Sequence, residues 1–183
     1  MGLLLDLFVA ENFDALREEL KRLFNKPEEE MDRDELLKIL LRSKRKDIIG
    51  MILELLQLQR DDVLDEWKDM FKSSKDLHLR FYIALICILR PTFESLCFVV
   101  QAYVKVIDLR PMLQPYLFRD RQKLLLAMAH YVEETILNKE EEQGIRDLLR
   151  SFTREQYFNT LQDRDSLKIH SLYFDLPPEF RKD

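Results

Sequence analysis

Residues that commonly act as nucleophiles, bases or metal ligands are few in this sequence and far apart. The three histidines, His78, His130 and His170, are isolated, and none has a second histidine four residues away as in a zinc-binding helix. Cys87 and Cys97 lie in apolar segments and lack the spacing of a metal site. We therefore predict buried thiols, with a disulfide bridge as the alternative, and no metal site.

Glycine is too scarce in this chain to build a phosphate-binding loop. The three glycines stand at positions 2, 50 and 144, and there is no Gly-x-Ser-x-Gly nucleophile turn. Acidic pairs are frequent, but they lie on predicted exposed faces, whereas catalysis by paired carboxylates needs one of them to be desolvated. The sequence therefore predicts a protein that is not an enzyme and that has no cofactor.

One compact group of cations, which we call the basic cluster, consists of Arg42, Lys44, Arg45 and Lys46. Cations near the end of a helix complement its dipole, and several cations on one surface can also bind phosphate groups. The cluster contains no aromatic residue, and Arg119, Arg121 and Lys123 could extend it only if the fold brought them close. Because the net charge is -5, general attraction to nucleic acid is not expected, and nucleic-acid binding is kept as an alternative.

The elements that would position these residues are helices. Good helix formers dominate the chain, whereas 3 Gly and 6 Pro are too few for the frequent tight turns of sheets. Apolar residues recur with helical spacing, and Asn12, Asp32 and Thr153 occupy predicted N-cap positions. The sequence thus predicts an all-α protein of about 8–10 helices, stacked as antiparallel pairs in an irregular multi-helix bundle or a short α-solenoid.

The most apolar stretch, residues 77–109, is predicted to be a central helical hairpin. Residues 81–89 are all apolar, and Pro91 ends that helix and begins a second one that runs to Ile107. Leu109-Arg110-Pro111 repeats Leu89-Arg90-Pro91, which predicts two equivalent helix junctions. No segment reaches the roughly 18 apolar residues of a membrane span. Because no secretory signal is recognised and the two cysteines are expected as thiols in a reducing compartment, we expect an intracellular protein, cytoplasmic or nuclear.

The second half of the chain contains two further helical patterns before the helical period is lost. Residues 119–137 form a predicted amphipathic helix, and Gly144 is expected at the start of the next helix or at a bend in it. One face of the first helix contains Leu125, Met128, Ala129, Val132 and Ile136. We expect one helical domain over residues 1–162 and a tail over residues 163–183, which either docks in extended form or binds a partner.

One stretch resembles a known family. Glu35 to Ile49, ELLKILLRSKRKDII, is similar to the fifth and sixth helices of death-effector domains, where a Leu-rich helix leads into Arg-x-Asp-Leu; here Arg45 and Asp47 match, with Ile48 in place of Leu. Leu20-Lys21-Arg22-Leu23 resembles the second-helix motif of that family. The family places about two more helices between these motifs than this chain has room for. The resemblance implies an adaptor in apoptosis or signalling.

Taken together, these patterns predict a non-enzymatic protein-protein interaction module, such as an adaptor, a scaffold or a regulatory subunit. Its partner would be a protein that binds grooves between helices or the C-terminal tail. A homodimer is a further expectation, since adjacent helices leave much apolar surface to cover. The candidate contact residues are Arg42, Lys44, Arg45, Lys46, Tyr116, Phe118, Tyr157, Tyr173, Phe174 and Phe180.

Overall fold

The computed structural model describes residues 2–25, 31–58, 64–161 and 167–176. Within these ranges the chain consists of α-helices, two short 3-10 helices and connecting turns, without a strand, which confirms the predicted all-α bundle. Twelve α-helices are present there, more than the predicted number. One helix that the sequence did not predict is that of the tail, which has too little apolar periodicity to be recognised.

Packing divides the chain into two compact units, Met1–Leu79 and Arg80–Asp183. The first unit contains α1 (Leu3–Val9), α2 (Phe13–Asn25), α3 (Arg33–Arg42), α4 (Lys46–Gln57) and α5 (Leu64–Ser73). Helix α6 (Leu77–Leu89) begins just before the division. The second unit continues with α7 (Phe93–Lys105), α8 (Arg110–Leu113), α9 (Arg121–Glu134), α10 (Lys139–Leu149), α11 (Arg154–Thr160) and α12 (Leu167–Phe174), and its 3-10 helices are Ile107–Leu109 and Leu117–Arg119. The single domain expected over residues 1–162 stays a prediction.

In the first unit, α1 packs on α2 and α3, and both α2 and α3 pack on α4. Leu16, Leu36 and Ile52 are fully buried in its core. The predicted caps are present: Asn12 accepts a hydrogen bond from the backbone of Ala15, and Asp32 accepts one from the backbone of Glu35. Capping satisfies backbone N–H groups that have no partner inside the helix, so the local sequence determines where these two helices begin.

In the second unit, α7 packs along α9 and against α10, while α11 and α12 also pack on α9. Residues 83–88 of α6 are all buried, as their apolar character predicts. Cys87 is buried, whereas Cys97 is only half-buried. Leu125, Met128, Ala129 and Val132 are buried as predicted, but Ile136 is 95% exposed because α9 ends at Glu134, two residues before it.

The two Leu-Arg-Pro tripeptides are not equivalent junctions, and this prediction was wrong. Pro91 lies outside both helices, and α7 begins at Phe93 because Thr92 and Ser95 cap each other: Ser95 N donates to Thr92 Oγ1 (3.0 Å), and Thr92 N donates to Ser95 Oγ (2.8 Å). Pro111, in contrast, lies within the first turn of α8, where its missing N–H costs no hydrogen bond. The same three residue types therefore end one helix and begin another.

Gly144 lies inside α10 rather than at its start, and the guanidinium of Arg110 lies against it. Arg110 donates from Nε to the Tyr103 carbonyl (3.0 Å) and from Nη2 to the carbonyls of Val104 (2.8 Å) and Glu140 (3.2 Å). A Cβ at position 144 would lie 2.8 Å from Arg110 Nη2. The absence of a side chain thus allows one arginine to satisfy carbonyls at the end of α7 and in α10.

The described part of the tail is a helix, so the expected extended conformation was wrong. Ile169 and Tyr173 of α12 are fully buried, and Leu176 just after it is also buried. The Tyr173 ring stacks on the Tyr157 ring with centroids 4.0 Å apart, and the Tyr157 hydroxyl lies 2.7 Å from His170 Nδ1. An eight-residue helix such as α12 is unstable alone, so its packing against the rest of the second unit stabilises it.

We predict that Tyr173→Ala lowers the free energy of unfolding by about 3 kcal/mol or more, because a fully buried aromatic ring is removed and a cavity remains. Urea unfolding followed by circular dichroism measures the change. Ser171→Ala, an exposed position on the same helix, is the matched control and should change stability by less than about 0.5 kcal/mol. Equal midpoints for the two variants would contradict a structural role for the tail.

Candidate functional site

The basic cluster lies where α3 ends and α4 begins, in the first unit. Ser43 to Arg45 connect the two helices, and the Ser43 hydroxyl accepts a hydrogen bond from the Arg45 backbone at 3.2 Å. Arg42, Lys44, Arg45 and Lys46 are all exposed. We call this surface the α3–α4 junction.

Arg45 differs from the other cations of the junction because it is held in place. Its Nε and Nη2 donate to the two carboxylate oxygens of Asp47 at 3.1 and 3.0 Å, and its guanidinium lies 4.5 Å from the centroid of the Phe13 ring. Asp47 also accepts a hydrogen bond from Arg17 Nη1 at 2.8 Å, and Arg17 is paired with Asp14 on its own helix. This network, formed by Asp14, Arg17, Arg45 and Asp47, joins α2 to the start of α4.

The network changes the acidity of its members. The hydrogen bond from Arg45, followed by the one from Arg17, holds the pKa of the Asp47 carboxyl well below its usual range. The hydrogen bond to Asp47 in turn raises the pKa of Arg45. Because the folded-state pKa of Asp47 is lowered, its stabilising contribution is present above about pH 4 and is lost as the pH falls toward that lower value.

The remaining cations of the junction have no charge partner among the described residues. In the part of the chain that the structure describes, Arg42, Lys44 and Lys46 have neither an ion pair nor a side-chain hydrogen bond. Long cationic side chains that make no local contact are available to a partner. The junction therefore combines one fixed guanidinium with three free cations.

The cations that could have extended the cluster belong to the second unit. Arg121 donates to the Ser151 carbonyl at 2.6 Å and lies over the Phe118 ring at 4.9 Å, while Lys123 donates to the Pro91 carbonyl at 3.4 Å. Both are thus engaged in contacts that stabilise their own unit.

The aromatic candidates do not form one surface. Tyr116 is 41% exposed and pairs with Phe81, whereas Phe118 is half-buried against Phe152. Tyr157 and Tyr173 are fully buried, so a partner could reach them only if α12 left its position. Phe174 is 50% exposed beside these rings, and Phe180 lies outside the described residues.

Sequence reasoning missed a cleft of about 560 Å³ at the other end of α3. Its lining is mostly acidic and is formed by Met31, Asp32, Arg33, Asp34, Glu66, Asp69 and Met70. Arg33 is paired with Glu66, but Asp34 and Asp69 have no ion pair among the described residues. Asp32 and the first turn of α3 were interpreted only as a helix cap, and the approach of α5 could not be deduced from the sequence. We call this surface the acidic cleft.

Within the described ranges, no group of three or more His, Cys, Asp or Glu side chains is arranged to hold a metal ion. His78 and His130 are exposed, and His130 contacts the edge of Phe93. None of the helices in those ranges is long and apolar enough to cross a membrane.

No protein-family model matches this chain, and no curated protein or solved structure is significantly similar to it. The two helices that the death-effector resemblance implies for residues 35–49 are present as α3 and α4, and its Arg-x-Asp residues are the paired Arg45 and Asp47. The similarity remains a resemblance over that stretch.

We predict that the Asp47 carboxyl remains ionised to a lower pH than an ordinary aspartate, and that Arg45→Gln raises its titration midpoint by about one unit or more, because a charged donor is lost. Carboxyl-detected NMR over a pH titration measures both. Lys44→Gln is the matched control, since Lys44 makes no contact with Asp47 and its loss should leave the midpoint nearly unchanged. A midpoint near 4 in the unmodified protein would contradict the network.

Proposed function

We propose that this chain is a protein-protein interaction module and that its contact surface is the α3–α4 junction. The observation that carries the proposal is the contrast within the junction: Arg45 is fixed by Asp47 and Phe13, while three adjacent cations have no acidic partner among the described residues. A pre-organised cation loses little freedom on binding, and free cations around it attract an acidic surface.

The charges around the junction favour a protein partner over nucleic acid. Asp14 and Asp47 lie within the same surface and would repel phosphates. Phosphate binding gains affinity with each phosphate neutralised, and this junction offers few cations in a chain whose net charge is -5. A protein surface can present carboxylates to the free cations and cations to Asp14 and Asp47, whereas a phosphate backbone offers negative charge alone.

The tail is less suitable as the contact surface, because most of its described apolar side chains are already buried on the second unit, namely Ile169, Leu172, Tyr173 and Leu176. An apoptosis or signalling adaptor, as the death-effector resemblance implies, would be one form of the proposed function. That narrower role rests on Arg45, Asp47 and the Leu-rich α3 alone.

We predict that Arg42→Gln/Lys44→Gln/Lys46→Gln removes a distinct set of proteins from those captured by the full chain in a native extract, because the free cations that attract acidic surfaces are gone. Quantitative mass spectrometry of the captured proteins is the measurement. The matched control is Lys105→Gln/Arg119→Gln/Lys139→Gln, which removes the same charge from exposed sites in the second unit. If both triple variants captured the same proteins as the unmodified chain, the junction would not be the contact surface.

A second measurement on the unmodified chain and the two triple variants distinguishes nucleic-acid binding from protein binding. A mobility-shift titration at low salt with a DNA duplex should show no retardation that depends on the junction. Retardation that is lost in the junction variant and kept in the control would favour nucleic acid over protein.

A further inference from the structure

Helix α3 carries opposite charges at its two ends. Its ten residues extend over about 15 Å. The acidic cleft lies at its N-terminal end, where Asp34 is joined by Asp69 from α5. The free cations of the α3–α4 junction, Arg42, Lys44 and Lys46, lie at its C-terminal end.

The cleft has the dimensions and chemistry to receive such cations. A volume of about 560 Å³ accommodates several long side chains. The carboxylates of Asp34 and Asp69 have no ion-pair partner among the described residues, and the half-buried Met31 and Met70 offer apolar contact to the aliphatic stems of Lys and Arg.

The two surfaces cannot meet within one first unit, because the length of α3 separates them. The free charges of one surface therefore cannot pair with those of the other inside the same unit, but they can pair with those of another molecule. A second copy of this chain presents both surfaces, each matched in sign to the free surface of the first copy.

We propose that the α3–α4 junction of one copy docks in the acidic cleft of a second copy, so that copies of this chain associate head to tail. The inference rests on the proposed function of the junction and names its partner. The contact joins two different surfaces, so each added copy leaves one junction and one cleft unoccupied. Such a heterologous contact extends to an open chain unless its rotation closes a ring.

Sedimentation velocity of the full chain over a range of concentrations tests the proposal. At about 0.1 M salt the mean mass should rise with protein concentration. At about 1 M salt the Debye length is about 3 Å, so the charges of the two surfaces are screened and the protein should remain monomeric. The junction variant Arg42→Gln/Lys44→Gln/Lys46→Gln and the cleft variant Asp34→Asn/Asp69→Asn should each weaken self-association by about tenfold or more. The Lys105→Gln/Arg119→Gln/Lys139→Gln control should associate like the unmodified chain.

An equimolar mixture of the two impaired variants provides the decisive result. The cleft variant keeps an intact junction and the junction variant keeps an intact cleft, so the mixture should form a dimer of one copy of each and stop there. Circular dichroism confirms that both variants are folded.

Two outcomes would overturn the inference. A monomeric unmodified chain at all concentrations would do so, and so would self-association that the cleft variant leaves unchanged. If the chain is monomeric while capture of other proteins still depends on the junction, head-to-tail docking fails and the proposed function stands. If capture is also independent of the junction, both fail.

Discussion

Each helix in the described ranges is too short to be stable alone, and the rest of the structure depends on this constraint. The longest, α9, has 14 residues, and isolated helices below about 12–15 residues are marginal in water. Every helix must therefore bury an apolar face against its neighbours. In the described part of the first unit, the large apolar side chains that remain exposed are Leu3, Val9 and Leu58. Most of the surface left for recognition is charged.

Features of the fold that depend on local sequence could be predicted, and those that depend on distant contacts could not. Thr153 and Gln156 form the predicted capping box because both partners lie within one turn. Asn138 follows directly after the predicted helix of residues 119–137, but it caps the beginning of α10. The tail forms a helix because Tyr157, fully buried in α11, stacks on Tyr173, and no local pattern reveals that stacking.

The candidate site likewise combines features that local sequence reveals with features that depend on distant contacts. The basic cluster was visible because its cations are adjacent in the sequence. Arg45 lies over the ring of Phe13, and its partner Asp47 is also held by Arg17; both of these residues are distant in the sequence, so the fixed position of Arg45 could not be foreseen. The acidic cleft was hidden for the same reason, since Asp34 and Asp69 come from different helices. The paired charges of the network thus join helices, whereas Asp34, Asp69 and three cations of the junction have no ion pair among the described residues.

In the proposed association, free cations of the α3–α4 junction contact carboxylates of a second copy. Carbodiimide cross-linking of a mixture of isotopically labelled and unlabelled chains tests this contact directly, because the reagent joins amines and carboxylates that already touch. We predict mixed-isotope links from Lys44 and Lys46 to Asp34 and Asp69 when the peptides are analysed by mass spectrometry. Mixed links that avoid these lysines, or form equally well from Lys105 and Lys139, would contradict it.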